Sequence, residues 1–177
     1  MPLYPIEGIE LDLPRNLAIL DSNILIALAL PDDSLHAEVE QFIEEQDQFI
    51  FGVPPPVVAE ACSFIIGKKK RHDLALNLLR WLLTPGSGVI LLPAPHGPRE
   101  SDIQAYLNAD SAWMLKHHLD YVDAYLMHMA HMVTVSCQLK PGLIIITKDM
   151  KDYLRCWQQG YSFSVYDITQ REILDFS

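Results

Sequence analysis

Four carboxylates from distant parts of the sequence stand close to apolar segments. Asp21 follows the run LAIL, and Asp149 lies two residues after the run LIIIT. Glu60 and Asp123 each lie in the first turns of segments with a helical pattern. Converging carboxylates repel one another unless a cation compensates them, and oxygen ligands without Cys or His select a hard ion such as Mg²⁺ or Mn²⁺. The four acids therefore predict metal-assisted phosphodiester chemistry, provided that the fold brings them together.

Each acid taken alone also has an ordinary structural explanation. Asp21 is a suitable helix N-cap before Ser22, and Glu60 is a first-turn charge that the helix dipole favours. Asp123 can form a capping pair with Asp120, and Asp149 can cap the helix that follows it. The order and the setting of all four acids favour the functional interpretation.

The elements that must position these acids follow from an alternation of apolar, β-branched runs with segments of helical period. This alternation is typical of βαβ units around a parallel sheet. The runs are short and apolar throughout, which is typical of strands covered by helices on both faces. We therefore predict an α/β fold, a three-layer α/β/α sandwich with a five-stranded parallel sheet. The predicted strands are LAIL before Asp21, QFIFGV ending at Val53, GVILLP ending at Pro93, LIIIT ending at Thr147 and YSFSVY ending at Tyr166.

Apolar residues at helical spacing predict the helices between these strands. One helix is expected from about Ser34 to Gln46, one starts at Pro54–Pro56, and one covers 72–84. Residues 100–139 are expected to form two helices joined near 117–120. We assign residues 1–177 to a single domain, in which 1–16 is an N-terminal extension; the linker-like parts are 1–16 and the loop 93–98.

The composition indicates an acidic protein that resides in the cytoplasm. Its 177 residues include 13 Lys plus Arg against 23 Asp plus Glu, for a formal charge of −10. The N-terminus lacks the basic start and apolar stretch of an export signal, and no apolar run is long enough to span a membrane. Cys62, Cys137 and Cys156 show no CxxC spacing and are expected to be reduced thiols.

An acidic chain does not bind nucleic acid passively, so a nucleic-acid enzyme needs a local basic patch. The one concentrated basic run is Lys68, Lys69, Lys70 and Arg71, which we expect either to contact RNA phosphates or to form a solvated helix connection.

Histidines do not predict a zinc or di-iron site, although four of them lie in the segment 117–131. His128 lies five residues from Asp123, roughly 140° around a helix, so the two side chains do not share a face. No ExxH pair supports a site in a helical bundle. We expect these histidines to lie on helix surfaces or to be hydrogen-bonded in the core.

The acidic motifs resemble those of the PIN-domain nucleases, in particular the VapC-type ribonuclease toxins of toxin-antitoxin pairs. The first motif of that family, an apolar strand followed by Asp, Ser or Thr, and Asn, matches AILDSNILIALAL, with His36 in the next helix. The VVAE pattern matches Glu60, and DAYLMHMA matches Asp123. The final strand-T-x-D motif matches Thr147 and Asp149, whereas Asp152 stands one residue later than the usual second acid.

This resemblance implies Mg²⁺- or Mn²⁺-dependent hydrolysis of RNA that leaves a 5′-phosphate. The implied metal-binding and catalytic residues are Asp21, Glu60, Asp123 and Asp149. It also implies supporting roles for Asn23, Thr147 and Asp152. An RNA substrate, a protein antitoxin and a homodimer are the partners that it implies.

Two other functions remain open at this point. The first is a haloacid-dehalogenase-type phosphatase with Asp21 as the nucleophile, although that class needs a second Asp where this chain has Asn23. The second is a PIN-like module that binds RNA or a protein without catalysis. The presence of all four acids argues against a loss of catalysis.

Overall fold

A computed structural model of the chain describes residues 3–6, 9–12, 16–92, 100–139, 142–157 and 160–175. The predicted loop 93–98 lies outside the described residues. The strands are β1 (Leu3–Ile6), β2 (Ile9–Asp12), β3 (Leu17–Leu20), β4 (Ile50–Val53), β5 (Val89–Leu91), β6 (Ile144–Thr147), β7 (Ser164–Asp167) and β8 (Glu172–Asp175). The helices are α1 (Ser22–Ala29), α2 (His36–Glu45), α3 (Pro55–Gly67), α4 (His72–Leu83), α5 (Glu100–His117), α6 (Tyr121–Cys137) and α7 (Met150–Trp157).

The main sheet has the strand order β5-β4-β3-β6-β7-β8, and helices flank it in three layers. Strands β3 to β7 are parallel to one another, which confirms the five parallel strands predicted from the sequence. All four residues of β3 and of β6 are buried, as expected for central strands covered on both faces. The order reverses between β3 and β6, and in such sheets ligands bind beyond the carboxyl ends of the strands at this switch point.

Two strand pairings were not predicted from the sequence. Strand β8 adds an antiparallel sixth strand beside β7, after a turn in which Arg171 adopts a left-handed φ of 55°. Its residues are mostly exposed, so the segment has no apolar run to indicate a strand. Strands β1 and β2 form an antiparallel pair, which corrects the expectation that residues 1–16 are linker-like. Each of these two strands has four residues, and β1 contains Pro5, so the pattern is too short to be recognised.

The predicted helices are present with bounds close to those expected. Helix α3 begins at Pro55 because proline lacks the N–H that a first helical residue leaves unused. Helices α5 and α6 are separated by residues 118–120, at the predicted junction. No helix of the described chain is long and apolar enough to cross a membrane.

Gly142 marks the closest approach between the segment that leads into β6 and the segment that leads into β7. A Cβ placed on Gly142 would lie 2.8 Å from the Cα of Phe163 and 3.1 Å from Cγ2 of Thr134. The first of these atoms is backbone and cannot move aside alone. A side chain at this position therefore separates β6 from β7 and disturbs the strand that carries Thr147.

We expect Gly142→Ala to lower the free energy of unfolding by about 1–3 kcal/mol through overpacking. The matched control is Gly67→Ala, because a Cβ at Gly67 meets nothing within 4 Å. That variant should be neutral or up to about 1 kcal/mol more stable, since alanine restricts the unfolded chain. Urea denaturation followed by circular dichroism measures both, and equal stability of the two variants would contradict the assignment of close packing.

Candidate active site

Asp21 lies at the switch point, directly after β3, and its side chain is 2% exposed. Oδ1 accepts a hydrogen bond from the backbone N–H of Ser22 at 2.6 Å, so Asp21 is also the N-cap of α1. Its Oδ2 accepts from Oγ1 of Thr147 at 2.7 Å and from Nδ2 of Asn23 at 2.7 Å. The capping and site interpretations of Asp21 are therefore compatible, because the cap orients the carboxylate.

Thr147 and Asn23 connect the carboxyl ends of the two central strands. The hydroxyl of Thr147, at the end of β6, donates to Asp21 and accepts from Nδ2 of Asn23 at 2.9 Å. Oδ1 of Asn23 in turn accepts from the backbone N–H of Lys148 at 3.2 Å. These contacts hold the carboxylate, the start of α1 and the end of β6 in one arrangement.

Asp123, in the first turn of α6, is the second carboxylate of the site, and it is half-buried. Its backbone N–H donates to Oδ1 of Asp120, the N-cap of this helix, at 3.0 Å. Burial raises the pKa of Asp123 from the ordinary 3.8 to about 8, with further contributions from the charges of Asp21, Asp120, Asp152 and Glu60. The ionised form of this carboxyl group is therefore disfavoured at neutral pH.

Asp21 shows the same type of shift. Burial raises its pKa from 3.8 to about 6, while the hydrogen bonds from Thr147 and Ser22 oppose the shift and the charges of Glu60 and Asp120 add to it. The two pKa shifts together define a group of mutually repelling acids at one end of the sheet. This acidic cluster consists of Asp21, Glu60, Asp120, Asp123 and Asp152.

The acidic cluster differs from the four predicted metal-binding acids at three positions: Asp120, Asp149 and Asp152. Asp120 is a member, although the sequence suggested only a capping role; as N-cap it precedes Asp123 by one turn and projects from the same helix end. Asp149 is exposed, and its Oδ1 accepts from the backbone N–H of Lys151 at 3.4 Å. The charge of Asp152 helps to raise the pKa of Asp123, and Asp152 also forms an ion pair with Arg155.

The donor set of the acidic cluster fits a hard divalent cation. It offers carboxylate oxygens only, and a cation would offset the repulsion that both pKa shifts reveal. In the described part of the chain, no three Asp, Glu, His or Cys side chains are already close enough together to hold an ion.

The family model described as "PIN domain" matches residues 18–151 of the chain. This chain belongs to the PIN domain family. The matched segment begins in β3 and includes all four acids of the predicted set. The family resemblance stated from the sequence motifs is thus confirmed, and Asp152 lies one residue beyond the match.

Three solved structures are similar to this PIN domain, and one of them has a TM-score above 0.5. VapC20 of Mycobacterium tuberculosis, described as a "Sarcin-Ricin loop cleaving toxin", is 14% identical with a TM-score of 0.57, over 81% of this chain and 95% of that chain. A toxin-antitoxin complex from Klebsiella pneumoniae is 22% identical with a TM-score of 0.45, over 77% of this chain and 89% of that chain. PAE2754 from Pyrobaculum aerophilum is 16% identical with a TM-score of 0.47, over 80% of each chain. Comparison with curated proteins finds no match.

The basic run of this PIN domain lies at the far end of α3 from the acidic cluster. Helix α3 starts two residues after β4, at the carboxyl end of the sheet, and has 13 residues, which span about 20 Å at 1.5 Å per residue. Lys68, Lys69 and Lys70 follow its last turn and are exposed. Arg71 already donates two hydrogen bonds to Asp73, at 3.0 and 2.8 Å.

Three of the four histidines of the segment 117–131 have hydrogen-bonding partners in the PIN domain. Nδ1 of His128 lies 2.7 Å from Oδ1 of the buried Asp110, and Nε2 of His117 lies 3.2 Å from the hydroxyl of Tyr161. Nδ1 of His131 accepts from the backbone N–H of Ser162 at 3.1 Å. The Asp110–His128 pair was not predicted from the sequence, because its two residues lie on different helices and belong to no motif.

We expect Asp123→Asn to stabilise the metal-free protein at pH 8. The folded-state pKa of about 8 exceeds the ordinary 3.8, so the native state holds the extra proton and loses stability as pH rises from about 4 to 8. Removing the charge should raise the free energy of unfolding at pH 8 by on the order of 1–3 kcal/mol and flatten this pH dependence.

Urea denaturation in EDTA at pH 5, 6.5 and 8 tests this expectation. The control is Asp47→Asn, which neutralises an exposed acid between α2 and β4 and should leave the pH dependence unchanged. A wild-type stability that does not fall between pH 5 and pH 8 would contradict the assignment.

Proposed function

We propose that this PIN domain is a metal-dependent endoribonuclease, the toxin of a toxin-antitoxin pair, acting in the cytoplasm. The observation that carries the proposal is the buried Asp21 carboxylate at the switch point, which Thr147, Asn23 and Ser22 fix by hydrogen bonds. It lies close enough to Glu60 and Asp120 for their charges to raise its pKa. A structural N-cap needs neither the burial nor the neighbouring charges. VapC20, which is described as a toxin that cleaves the sarcin-ricin loop, shares the fold and supports RNA as the substrate.

In this proposal the acidic cluster holds Mg²⁺ or Mn²⁺, with Asp21, Glu60 and Asp123 as ligands. When bound, such an ion would supply Lewis acidity toward water and the scissile phosphate. The resemblance to PIN-domain nucleases implies products with a 5′-phosphate. Asp21 is the fixed member, since its hydrogen bonds leave it little freedom. Thr147 and Asn23 orient it, and neither group is ionised, so they add no charge to the site.

Asp120 and Asp152 complete the negative field around Asp123. Asp152 is tethered to Arg155, whose guanidinium also donates to the backbone carbonyl of His117 at 2.6 Å. We therefore assign Asp152 a supporting role. Asp149 remains a proposed ligand, because it adjoins Thr147, whose Oγ1 accepts from the Asp149 backbone N–H at 3.0 Å.

We expect Asp21→Asn to reduce Mg²⁺- or Mn²⁺-dependent cleavage of mixed-sequence RNA by at least about a hundredfold, because the fixed anionic ligand is lost. The substitution keeps the size of the side chain and an oxygen that can cap Ser22. Asp47→Asn should retain full activity, EDTA should abolish it, and circular dichroism should show that both variants are folded.

A small phosphate monoester assayed in parallel separates the alternatives. Hydrolysis of the monoester without RNA cleavage would indicate a phosphatase, and RNA binding without cleavage of either substrate would indicate a non-catalytic module. Full RNA cleavage by the Asp21→Asn variant would overturn the metal-site assignment.

The basic run supplies a further test of RNA binding. If Lys68, Lys69 and Lys70 hold the RNA backbone, replacing all three with Gln should weaken binding equally for all sequences and lower the slope of log Kd against log salt by about 2. Fluorescence anisotropy in EDTA at several salt concentrations measures this slope. An unchanged slope would assign the run to a solvated connection between α3 and α4.

The protein partners of the proposed toxin are an antitoxin and a second copy of the chain. Co-expression with a short neighbouring reading frame should relieve the growth arrest that expression of this chain alone causes. Size-exclusion chromatography with light scattering measures the oligomeric state. No growth arrest on expression would contradict the toxin role and leave the nuclease activity as a separate question.

A further inference from the structure

A cavity of about 350 Å³ opens between α3, α5 and α6, next to the acidic cluster. We call it the tyrosine pocket; its described lining residues are Pro55, Pro56 and Ala59 from α3, Tyr106, Leu107 and Asp110 from α5, and Tyr121 and Tyr125 from α6. Such a volume accommodates one planar heterocycle and is small for a folded peptide segment. Concave sites with few polar groups are typical of small-ligand binding.

Asp110 is the charged residue of the tyrosine pocket, and it is 0% exposed. Its Oδ1 lies 2.7 Å from Nδ1 of His128, which is the donor when the carboxyl group is ionised. Its Oδ2 has no hydrogen-bond partner among the described residues. A buried acceptor without a donor costs about 1–3 kcal/mol. The pairing with His128 does not use this oxygen, so Asp110 keeps one unused acceptor.

Aromatic rings form most of the remaining wall. The ring of Tyr125 lies 6.4 Å from that of Tyr106 and 6.2 Å from that of Tyr121, and Tyr106 also stacks beside His128 at 4.9 Å. Aromatic faces bind unstacked nucleic-acid bases without requiring a particular sequence. Tyr121 is exposed and Tyr106 is half-buried, so their rings are the accessible flat surfaces beside the buried acceptor, whereas Tyr125 is buried behind them.

The tyrosine pocket adjoins the acidic cluster through two sequence neighbours. Ala59 precedes Glu60 on α3, and Tyr121 follows Asp120 at the start of α6. An occupant of the pocket therefore lies beside the site proposed for the scissile phosphate. A single nucleotide connects two such positions, since its base and its phosphate are joined through one ribose.

We infer that the tyrosine pocket binds one unstacked RNA base beside the scissile phosphate and that Asp110 selects the base by accepting a hydrogen bond from it. This inference rests on the proposed ribonuclease function. Guanine fits best, because its pairing edge carries two adjacent N–H donors. Uracil fits worst, because its single N–H is flanked by two carbonyl oxygens that a carboxylate repels.

A cationic side chain of a partner protein is the other group that a carboxylate among aromatic rings attracts. Asp110 already shares its charge with His128 and has one acceptor to fill, which a neutral N–H donor satisfies without bringing in a further buried charge. The flat tyrosine walls and the adjacent phosphate position favour the base.

Nucleosides test the pocket separately from catalysis, because they carry no phosphate and need no metal. Saturation-transfer NMR titrations in EDTA with guanosine, inosine, adenosine, cytidine and uridine should show guanosine binding about tenfold more tightly than uridine. Inosine, which lacks the amino group, should bind more weakly than guanosine. Asp110→Asn keeps the oxygen that faces His128 and turns the free acceptor into a donor, so guanosine affinity should fall about tenfold while uridine affinity is retained.

Two variants of Tyr121, which is more exposed than Asp110, test the pocket without changing a core residue. Tyr121→Ala should weaken every nucleoside, whereas Tyr121→Phe should retain the binding because it keeps the ring. Equal affinity for all nucleosides, no binding at all, or binding of N-acetyl-arginine amide in place of nucleosides would overturn the inference.

Mapping of RNA cleavage sites completes the experiment. The wild-type protein should cut beside guanine, and Asp110→Asn should cut with a weaker base preference. If the protein binds nucleosides selectively but does not cleave RNA in Mg²⁺ or Mn²⁺, the assignment of the pocket stands and the nuclease proposal is overturned. Cleavage without any nucleoside selectivity would do the reverse.

Discussion

The hydrogen bond from Thr147 to Asp21 joins the two central strands at their carboxyl ends, and the arrangement of the acidic cluster depends on it. The pairing of β3 with β6 places the two residues side by side, with the backbone N–H of Asp21 donating to the carbonyl of Ile146 at 3.0 Å. A buried carboxylate without donors would be very costly. Ser22, Asn23 and Thr147 provide the donors, and the pKa of Asp21 is nevertheless raised to about 6.

The remaining acids show how far this fold tolerates like charges in one region. Arg155 forms an ion pair with Asp152 and offsets its negative charge. Asp120 is exposed and is the N-cap of α6. Among the described residues no cation pairs with Asp123 to offset its burial, and its pKa rises further than that of Asp21. Natural proteins retain local conflicts of this kind mainly at functional sites, where a ligand resolves them.

The same helix ends serve both the acidic cluster and the tyrosine pocket. The first two turns of α3 carry Pro55, Ala59 and Glu60, and the first turn of α6 carries Tyr121 and Asp123. Since both helices begin at the carboxyl edge of the sheet, packing of α3 against α6 determines the distance between the two features. A change in this packing would alter charge and shape together.

The sequence by itself determined the five parallel strands, the order of the helices and the family, because buried strands and amphipathic helices leave periodic patterns and the motifs around Asp21, Glu60 and Asp123 are local. It did not reveal β8, whose exposed residues leave no such pattern, or the pair β1–β2. Only the tertiary structure decided that Asp120 joins the acidic cluster, that Asp149 faces solvent and that Asp110 lies buried among three tyrosines. Those outcomes depend on how α3, α5 and α6 pack, and contacts between residues far apart in the chain leave no local signal in a single sequence.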